Sequence, residues 1–349
     1  MSIDRQQRDE QMMQRALELA EQGVGTTSPN PPVGAVIVHE GRIIGEGYHE
    51  KAGQAHAERR ALQHVREQGL AHLLPGATIY VTLEPCSSYG RTPPCTDAII
   101  ESGIARVVYG ADDPDKRHKG RAAGLLRAAG IEVLPGVAEG ACRAFLRPWL
   151  HAVTEGYPWI TAKIAATLDG RITRCRERRL SGAEALAYAH SLRAESDAIL
   201  VGGCTVRSDR PALTIRCPQR PVPACKEQPW RVVLTQRRAE LPGDAPLFSD
   251  ANAARTLVYE DVADLKAMAR ELYTRYGVVR LMLECGGRLL RKFLEQGLVH
   301  EWVQVVTPYL TGGGDMLLPG DWLPSELKLD TPAVLPMGRD VVIRGMVRR

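Results

Sequence analysis

Apolar residues at helical spacing open the chain. Met12, Met13, Ala16, Leu17, Leu19 and Ala20 predict a helix over Asp9 to Gln22, closed by Gly23. A loop stiffened by Pro29, Pro31 and Pro32 leads into the apolar run Val33 to Val38, a strand. Glu40-Gly41 then predicts a hairpin turn before Arg42 to Tyr48. Ala57, Ala61, Leu62 and Val65 place a helix after His56, and Thr78 to Leu83 reads as a buried strand. A further helix opens at Cys95 and runs through Ile99 and Ile100. Ala105 to Gly110 is a strand, residues 121–129 a helix, and Ile131 to Leu134 another strand. Strands alternating with helices predict an α/β layered sheet.

Periodicity breaks between Phe145 and Tyr157, at Arg147-Pro148-Trp149 and Gly156-Tyr157-Pro158, which divides the chain into domains 1–147 and 148–349. Trp159 to Gly170 is a strand ending in an Asp-Gly turn. Ser181 is the expected cap of a helix through Leu192, and Asp197 to Gly203 is a strand with a glycine-rich exit. Thr205, Asp209, Leu213 and Arg216 are expected in the loop that follows. Val278 to Leu283 is a strand ending in Glu284-Cys285-Gly286-Gly287, ahead of a helix over Leu289 to Gln296. Lys163 inside a strand has two readings of equal weight: an edge lysine that snorkels to solvent, or a functional amine with a buried partner.

Length fits two domains, since 349 residues supply two apolar cores. A net charge of +4 is too mild to imply nucleic acid or a membrane surface. Only 5% of residues are aromatic, with no basic patch interleaved among them, which argues against single-strand binding. No apolar run reaches membrane-spanning length, and Met1 to Glu10 lacks a secretory apolar core. The eight cysteines show no disulfide-framework spacing, so a reduced, cytoplasmic protein is expected.

Candidate chemistry concentrates between His56 and Cys95. A lone His or Cys is more often packed than metal-bound. Here His56-Ala57-Glu58 begins one helix, Pro85-Cys86 follows a strand end, and Cys95 begins another helix, so three ligands converge on one ion. One imidazole and two thiolates leave the fourth tetrahedral position of zinc for water, and the ion lowers the pKa of that water towards neutrality. Glu58, two residues past the histidine, is placed to shuttle protons without ligating. The order matches the zinc nucleobase-deaminase pattern His-x-Glu then Pro-Cys-x-x-Cys, except that eight residues separate the two cysteines here. A closed structural zinc site is the alternative; three ligands beside a free acid argue against it. Asn30 reads first as a turn residue and second as a contact for a base edge. His49 and Lys51 either meet a phosphate or are solvated. Strand, paired glycines Gly286 and Gly287, then helix, favours an anion at the helix start, with glycine packing as an equal reading.

The strings Ser28-Pro29-Asn30-Pro31, His56-Ala57-Glu58, Glu84-Pro85-Cys86 and Gly90-Arg91-Thr92-Pro93-Pro94-Cys95 resemble the deaminase domain of the bifunctional riboflavin-biosynthesis deaminase/reductases. Lys163-Ile164-Ala165, Leu168-Asp169-Gly170, Leu192-Arg193, Asp197-Ala198-Ile199, Thr205 through Asp209, Leu213 to Arg216 and Glu284 with its glycines are similar to the reductase domain. The resemblance implies a cytidine-deaminase-like α/β/α layered domain followed by a dihydrofolate-reductase-like α/β domain that uses NADPH. It implies zinc on His56, Cys86 and Cys95 with Glu58 as proton shuttle. Asn30 would contact the pyrimidine, and His49, Lys51, Ser88 and Arg91 would face the ribose phosphate. In the second domain Ala165, Thr205, Asp209, Gly286 and Gly287 would meet the cofactor. Lys163, Leu213, Arg216 and Glu284 would meet the sugar phosphate. The implied partner is a pyrimidine ribosyl phosphate, and a homodimer or larger homo-oligomer is expected.

Between Asp169 and Ser181 the family carries a Gly-Glu-Ser-x-Trp-Ile-Thr type segment. Here it reads Arg174-Cys175-Arg176-Glu177-Arg178-Arg179-Leu180-Ser181, with Leu186 where an arginine is common and His300 where an aspartate is usual. Two rivals therefore stand beside the bifunctional enzyme: a deaminase whose C-terminal domain only binds ligand or builds the oligomer, and a zinc-stabilised binding module.

Overall fold

A five-stranded sheet organises the first of two compact units, Met1–Gly156. The computed structural model describes residues 3–89, 93–114, 120–173, 180–219, 221–321 and 323–348. Its first unit runs α1 (Ile3–Glu21), β1 (Gly34–His39), β2 (Arg42–Tyr48), α2 (Ala57–Glu67), β3 (Thr78–Leu83), α3 (Cys95–Ser102), β4 (Arg106–Ala111), α4 (Arg121–Ala128), β5 (Glu132–Pro135) and α5 (Glu139–Glu155). The sheet order is β2-β1-β3-β4-β5. β1 pairs antiparallel with both neighbours, and β3, β4 and β5 are mutually parallel. The hairpin turns where expected, with Glu40 and Gly41 both at positive φ (47° and 80°).

Glycines set how close the helices lie. A Cβ on Gly34 would strike the Ala16 carbonyl of α1, and one on Gly47 would lie 2.7 Å from the Ala57 carbonyl of α2. Ala35, not Gly34, pairs with Gly47, and successive strand residues point to opposite faces. α1 and α2 therefore cover opposite faces, which is the α/β/α layering expected. β4 is buried at all six positions, as a parallel strand covered on both sides should be.

The expected division at 147/148 falls inside a helix. α5 continues through Pro148, and the units part at Gly156, whose positive φ of 75° ends the helix. A proline in mid-helix removes one hydrogen bond but does not stop a helix whose Leu146, Trp149 and Ala152 are buried.

The second unit, Tyr157–Arg349, holds β6 (Trp159–Thr167), α6 (Ala183–Glu195), β7 (Ala198–Gly202), α7 (Gly203–Asp209), β8 (Trp230–Thr235), α8 (Pro246–Ser249), β9 (Thr256–Glu260), α9 (Leu265–Tyr276), β10 (Arg280–Leu283), α10 (Gly287–Glu295), β11 (Glu301–Thr307), β12 (Lys328–Met337) and β13 (Asp340–Arg348). Its eight strands are ordered β12-β13-β11-β6-β10-β7-β8-β9. The run from β11 to β9 is parallel, and the β12–β13 hairpin adds antiparallel to β11. Ile160, Ala162 and Ile164 of β6 pack with α9 and α10 through Leu272, Leu290 and Phe293. Ala165 points the other way, towards Ala185, Tyr188 and Leu192 of α6. Among the described residues, no helix is long and apolar enough to cross a membrane.

Three local expectations change. The N-cap of α6 is Gly182 rather than Ser181, with its N–H donated to Asp340 Oδ2 at 2.7 Å. Thr205 and Asp209 lie on α7, not in a loop, because the chain turns helical directly at Gly203. Lys163 is on an interior strand between β11 and β10, so the snorkelling edge lysine is excluded.

Candidate functional site

In the first unit three elements deliver the ligand set. His56 is the N-cap of α2, with extended backbone (φ −71°, ψ 165°), and Cys95 is the first residue of α3 after Pro94. Cys86 follows the end of β3. His56 Nδ1 lies 3.6 Å from Cys86 Sγ and 3.4 Å from Cys95 Sγ. All three ligand atoms are within 4.8 Å of one another. Ligands around one tetrahedral zinc at 2.0–2.3 Å stand about 3.3–3.8 Å apart, so the donor set fits the ion. The start of α3 is also aimed at a sulfur, and its positive end favours thiolate. The Cys95 amide donates to Cys86 Sγ at 3.2 Å. Arg59 ties the loop down by donating to the Pro93 and Pro94 carbonyls at 3.3 and 3.2 Å.

Hydrogen bonding with Cys95 draws the Cys86 thiol well below its ordinary value against the effect of burial, with His56 adding to the fall. Cys95 moves the other way, raised by its bond to Cys86 and by burial. Glu58, in the first turn of α2, is 3% exposed. Burial pushes its carboxyl above the ordinary range, Cys86 reinforces the rise, and His56 opposes it. A buried carboxyl of raised pKa beside the ligands is what a proton shuttle near neutral pH requires.

Asn30 sits after a turn closed by its own N–H on the Thr27 carbonyl at 2.8 Å. Its side chain meets His49, Nδ2 to Nε2, at 3.2 Å, and His49 Nδ1 meets the Ala55 carbonyl at 3.1 Å. The His49 ring stands edge-on to His56 with centroids 5.2 Å apart, which joins Asn30 and His49 to the ligand cluster. His49 is buried, and burial lowers its pKa. Both ring nitrogens of His49 are engaged within the protein, one of them with Asn30. Lys51 and Ser88 are half-buried on the loops after β2 and after Cys86. Arg91 lies outside the described residues, as does Glu177 with the rest of 174–179.

In the second unit Lys163, on the α6 side of β6, faces charged neighbours. Burial lowers its pKa, opposed by Glu284 and aided by Arg193. Glu284 leaves the end of β10, where its N–H bonds the Leu200 carbonyl at 2.9 Å. Its two carboxylate oxygens accept from Arg193 Nε and Nη2 at 2.6 and 2.8 Å. Burial alone would raise this carboxyl; Arg193, then Lys163 and His190, bring it down to about 2. Ala165 lies two residues along the same strand face as Lys163. Arg216 is exposed, and its Nη1 donates to Thr214 Oγ1 at 3.2 Å.

Leu213 departs from its expected role. It is 2% exposed, at φ 51°, with its side chain packed among Ile199, Val201, Val206 and Val233, so what it offers a ligand is main chain. The paired glycines separate in the same way. A Cβ on Gly287 would lie 2.6 Å from the Met316 carbonyl and from Pro319 Cδ, so this glycine is fixed by packing. Gly286, the N-cap of α10, faces open space. Thr205 is half-buried and Asp209 exposed on α7. Arg193 and His190 were not singled out as site residues. Their signal is a pair of charged or titratable residues one turn apart in a helix otherwise rich in alanine.

Residues 6–111 match the family described as the cytidine and deoxycytidylate deaminase zinc-binding region, and residues 158–343 match the RibD C-terminal domain. The riboflavin biosynthesis protein RibD of Aquifex aeolicus is 38% identical over 359 residues, covering 96% of this chain and 97% of that protein. The chain belongs to the RibD family. RibD of Escherichia coli is 37% identical over 342 residues, covering 89% of this chain and 92% of that protein. Among solved structures, Acinetobacter baumannii RibD superposes with a TM-score of 0.90 at 32% identity, covering 99% of this chain and 100% of that one. A diaminohydroxyphosphoribosylaminopyrimidine deaminase/5-amino-6-(5-phosphoribosylamino)uracil reductase from Thermotoga maritima superposes at 0.82 with 31% identity, covering 99% of both chains. The two halves are accordingly a zinc deaminase and an NADPH-dependent reductase of riboflavin biosynthesis, and both the cytidine-deaminase-like and dihydrofolate-reductase-like folds stand as expected. A silent C-terminal domain is not favoured.

Proposed function

We propose that the first unit deaminates diaminohydroxyphosphoribosylaminopyrimidine and the second reduces the ribosyl group of the resulting aminouracil phosphate to ribityl. The convergence of His56, Cys86 and Cys95 beside the buried Glu58 carries this reading. His56, Cys86 and Cys95 would hold zinc, which supplies a water acidic enough to act as nucleophile near neutral pH. Glu58 takes a proton from the attacking water and gives it to the ring nitrogen, then moves the remaining hydroxyl proton of the adduct to the amine, which leaves as ammonia as the carbonyl forms. Asn30, oriented by His49, hydrogen-bonds the pyrimidine edge. Lys51 and Ser88 are offered for the ribose phosphate, with Arg91 beside them in the sequence.

In the second unit Ala165, Thr205, Asp209 and the open face of Gly286 would border NADPH, which supplies the hydride for the opened ribosyl carbon. Lys163 and Glu284 hold the sugar hydroxyls, the main chain at Leu213 closes on the ring, and Arg216 meets the phosphate. Cytoplasmic operation belongs to the same reading, as does a homodimer or larger homo-oligomer, for which exposed Val334 and Val341 on the outer hairpin offer apolar surface.

One assay tests both halves. Purified protein is given the diaminopyrimidine substrate, and ammonia release and NADPH oxidation are followed separately. Ammonia in step with zinc content, then NADPH oxidation dependent on that product, is expected. Ammonia release that survives complete zinc removal defeats the first assignment, and product formation without NADPH oxidation defeats the second.

A further inference from the structure

Glu84 stands between the end of β3 and the ligand Cys86, and its own side chain serves another part of the first unit. Its N–H donates to the Ala111 carbonyl at 2.8 Å, which extends the β3–β4 pairing one residue beyond Leu83. Its carboxylate, in a residue only 3% exposed, accepts three main-chain amides from the chain that follows β4. Oε2 takes the Asp113 N–H at 3.4 Å and the Gly120 N–H at 3.1 Å, and Oε1 takes the Ala122 N–H at 3.3 Å. Gly120 is the N-cap of α4 and has no side chain to offer, so the first free amides of that helix are capped from the end of a strand. Cys86 is held on its other side as well: its carbonyl accepts the Thr96 N–H at 3.2 Å, and its Sγ accepts the Cys95 N–H at 3.2 Å. Burying a carboxylate carries a desolvation cost that a local capping residue on α4 would avoid. What the distant carboxylate adds is a connection between α4 and the metal turn.

We propose that Glu84 is a positioning residue of the deaminase: it ties the Asp113, Gly120 and Ala122 amides to the turn Glu84-Pro85-Cys86, so that Cys86 is presented to the metal from a fixed main chain. The inference rests on the reading of His56, Cys86 and Cys95 as the zinc ligands. Pro85 lies between tether and ligand, and its ring fixes φ, which leaves little slack for Cys86 to drift once Glu84 is held. A carboxylate suits this work because both oxygens accept and neither donates. Glutamine has the same size but turns an NH2 group towards one of the N–H donors. The positive end of α4 also favours a negative charge at that place.

The test uses the full-length chain with the variants Glu84→Gln and Glu84→Asp, and Asp9→Asn for comparison. Asp9 pairs with Arg106 at the opposite end of β4, so Asp9→Asn weakens the same sheet without touching the metal turn. Zinc affinity is read by competition with a chromophoric chelator. Ligand geometry is read from the sulfur-to-metal and d–d absorption bands of the cobalt(II) form. In Glu84→Gln zinc should bind about tenfold more weakly, and the cobalt bands should shift. Glu84→Asp keeps the charge but is one methylene short of the three amides, and it should move both readouts the same way. The kcat of ammonia release should fall with them, while NADPH oxidation with pre-formed aminouracil phosphate stays at the wild-type rate. Asp9→Asn should lower the urea midpoint and leave the zinc affinity and cobalt bands of the folded protein unchanged, which is how a merely structural Glu84 would also behave. Wild-type zinc affinity and cobalt bands in both Glu84 variants overturn the inference. Alkylation of Cys86 in the metal-free chain, followed by peptide mass, should be faster in Glu84→Gln than in wild type. A wild-type chain that takes up neither zinc nor cobalt defeats the ligand reading, and the alkylation still decides the role of Glu84: faster labelling upholds it, and an unchanged rate overturns it.

Discussion

Asn30 and His49 form a relay in which one side chain fixes the other. With Nδ1–H given to the Ala55 carbonyl, His49 Nε2 is left as an acceptor, and the Asn30 amide nitrogen donates to it at 3.2 Å. With its nitrogen committed to His49, the Asn30 amide has its oxygen as the group to offer a ligand in the proposed reading. His49→Phe keeps a buried ring but removes the acceptor. Its expected outcome is a deamination kcat/KM lower by about tenfold to a hundredfold, the cost of losing one positioned hydrogen bond. Zinc stoichiometry should stay at the wild-type value, measured by metal analysis of the same samples.

Glu58→Gln leaves the three ligands in place and removes the titrating group. Ammonia release should fall by about 10²–10⁴-fold, the usual scale of a general acid–base group. Zinc should be retained, and NADPH oxidation with pre-formed aminouracil phosphate should run at the wild-type rate. Ammonia release within a few-fold of wild type would remove Glu58 from the mechanism.

Two glycines in the first unit predict opposite signs. Gly47→Ala places a methyl 2.6 Å from Arg60 Cβ and 2.7 Å from the Ala57 carbonyl, against the helix that begins at His56. Overpacking of this kind costs about 1–3 kcal/mol, and here it also pushes α2 off the sheet. Lower stability and weaker zinc retention should appear together. Gly124, exposed within α4, has nothing within 4 Å of an added Cβ. Gly124→Ala should stabilise by about 0.5–1 kcal/mol through helix propensity alone, with zinc affinity unmoved. Urea unfolding with metal analysis checks both.

The zinc cluster was legible because each ligand is announced by its own local element: a helix start at His56, a strand end before Cys86, a helix start at Cys95. Those signals are short-range, and their order along the chain survives folding. The reductase site was less so, because strand order is decided by pairing over long separations. Lys163 looked as much like an edge lysine as a functional one until β10 and β11 took places on either side of it. Arg193 and Glu284 are 91 residues apart, and nothing local to either names the other. Leu213 appeared as an apolar residue in a polar loop, and only the fold turns it into the core below Ile199. Strands β8, β9, β11 and the β12–β13 hairpin were missed as well, and for the hairpin the reason is local. β12 carries Pro332 and Pro336 and is mostly exposed, so no buried alternation marks it.

Gly286 and Gly287 separate cofactor contact from packing. Gly287→Ala must displace the Met316 and Pro319 main-chain region and should lower thermal stability, with activity lost only in proportion to unfolding. Gly286→Ala meets no protein atom within 4 Å, so stability should hold. If backbone approach to NADPH is what this position serves, its methyl should raise the KM of NADPH several-fold and leave the KM of the aminouracil phosphate unchanged. Steady-state kinetics in both substrates, beside melting curves, distinguishes the two glycines.

The second unit should lose stability in two acid steps, each with its own residue. His190 has a folded pKa of about 4 against 6.5 for an unperturbed imidazole, since burial and then Arg193 and Arg216 disfavour the cation. The unfolded chain therefore takes up this proton first as pH falls. Stability is unaffected above 6.5, declines between 6.5 and 4, and changes no further from this group below that. Glu284 acts lower. Its folded pKa of about 2 lies below the ordinary 4.5, so its contribution is full above 4.5 and is lost as pH falls towards 2. His190→Gln should flatten the decline between pH 6.5 and 4 while leaving the steeper fall below 4.5. Urea midpoints for wild type and variant across pH 7 to 3 read the difference directly, and zinc loss in acid, common to both proteins, cancels in it. Parallel curves through the upper window would mean that His190 is solvated and titrates normally.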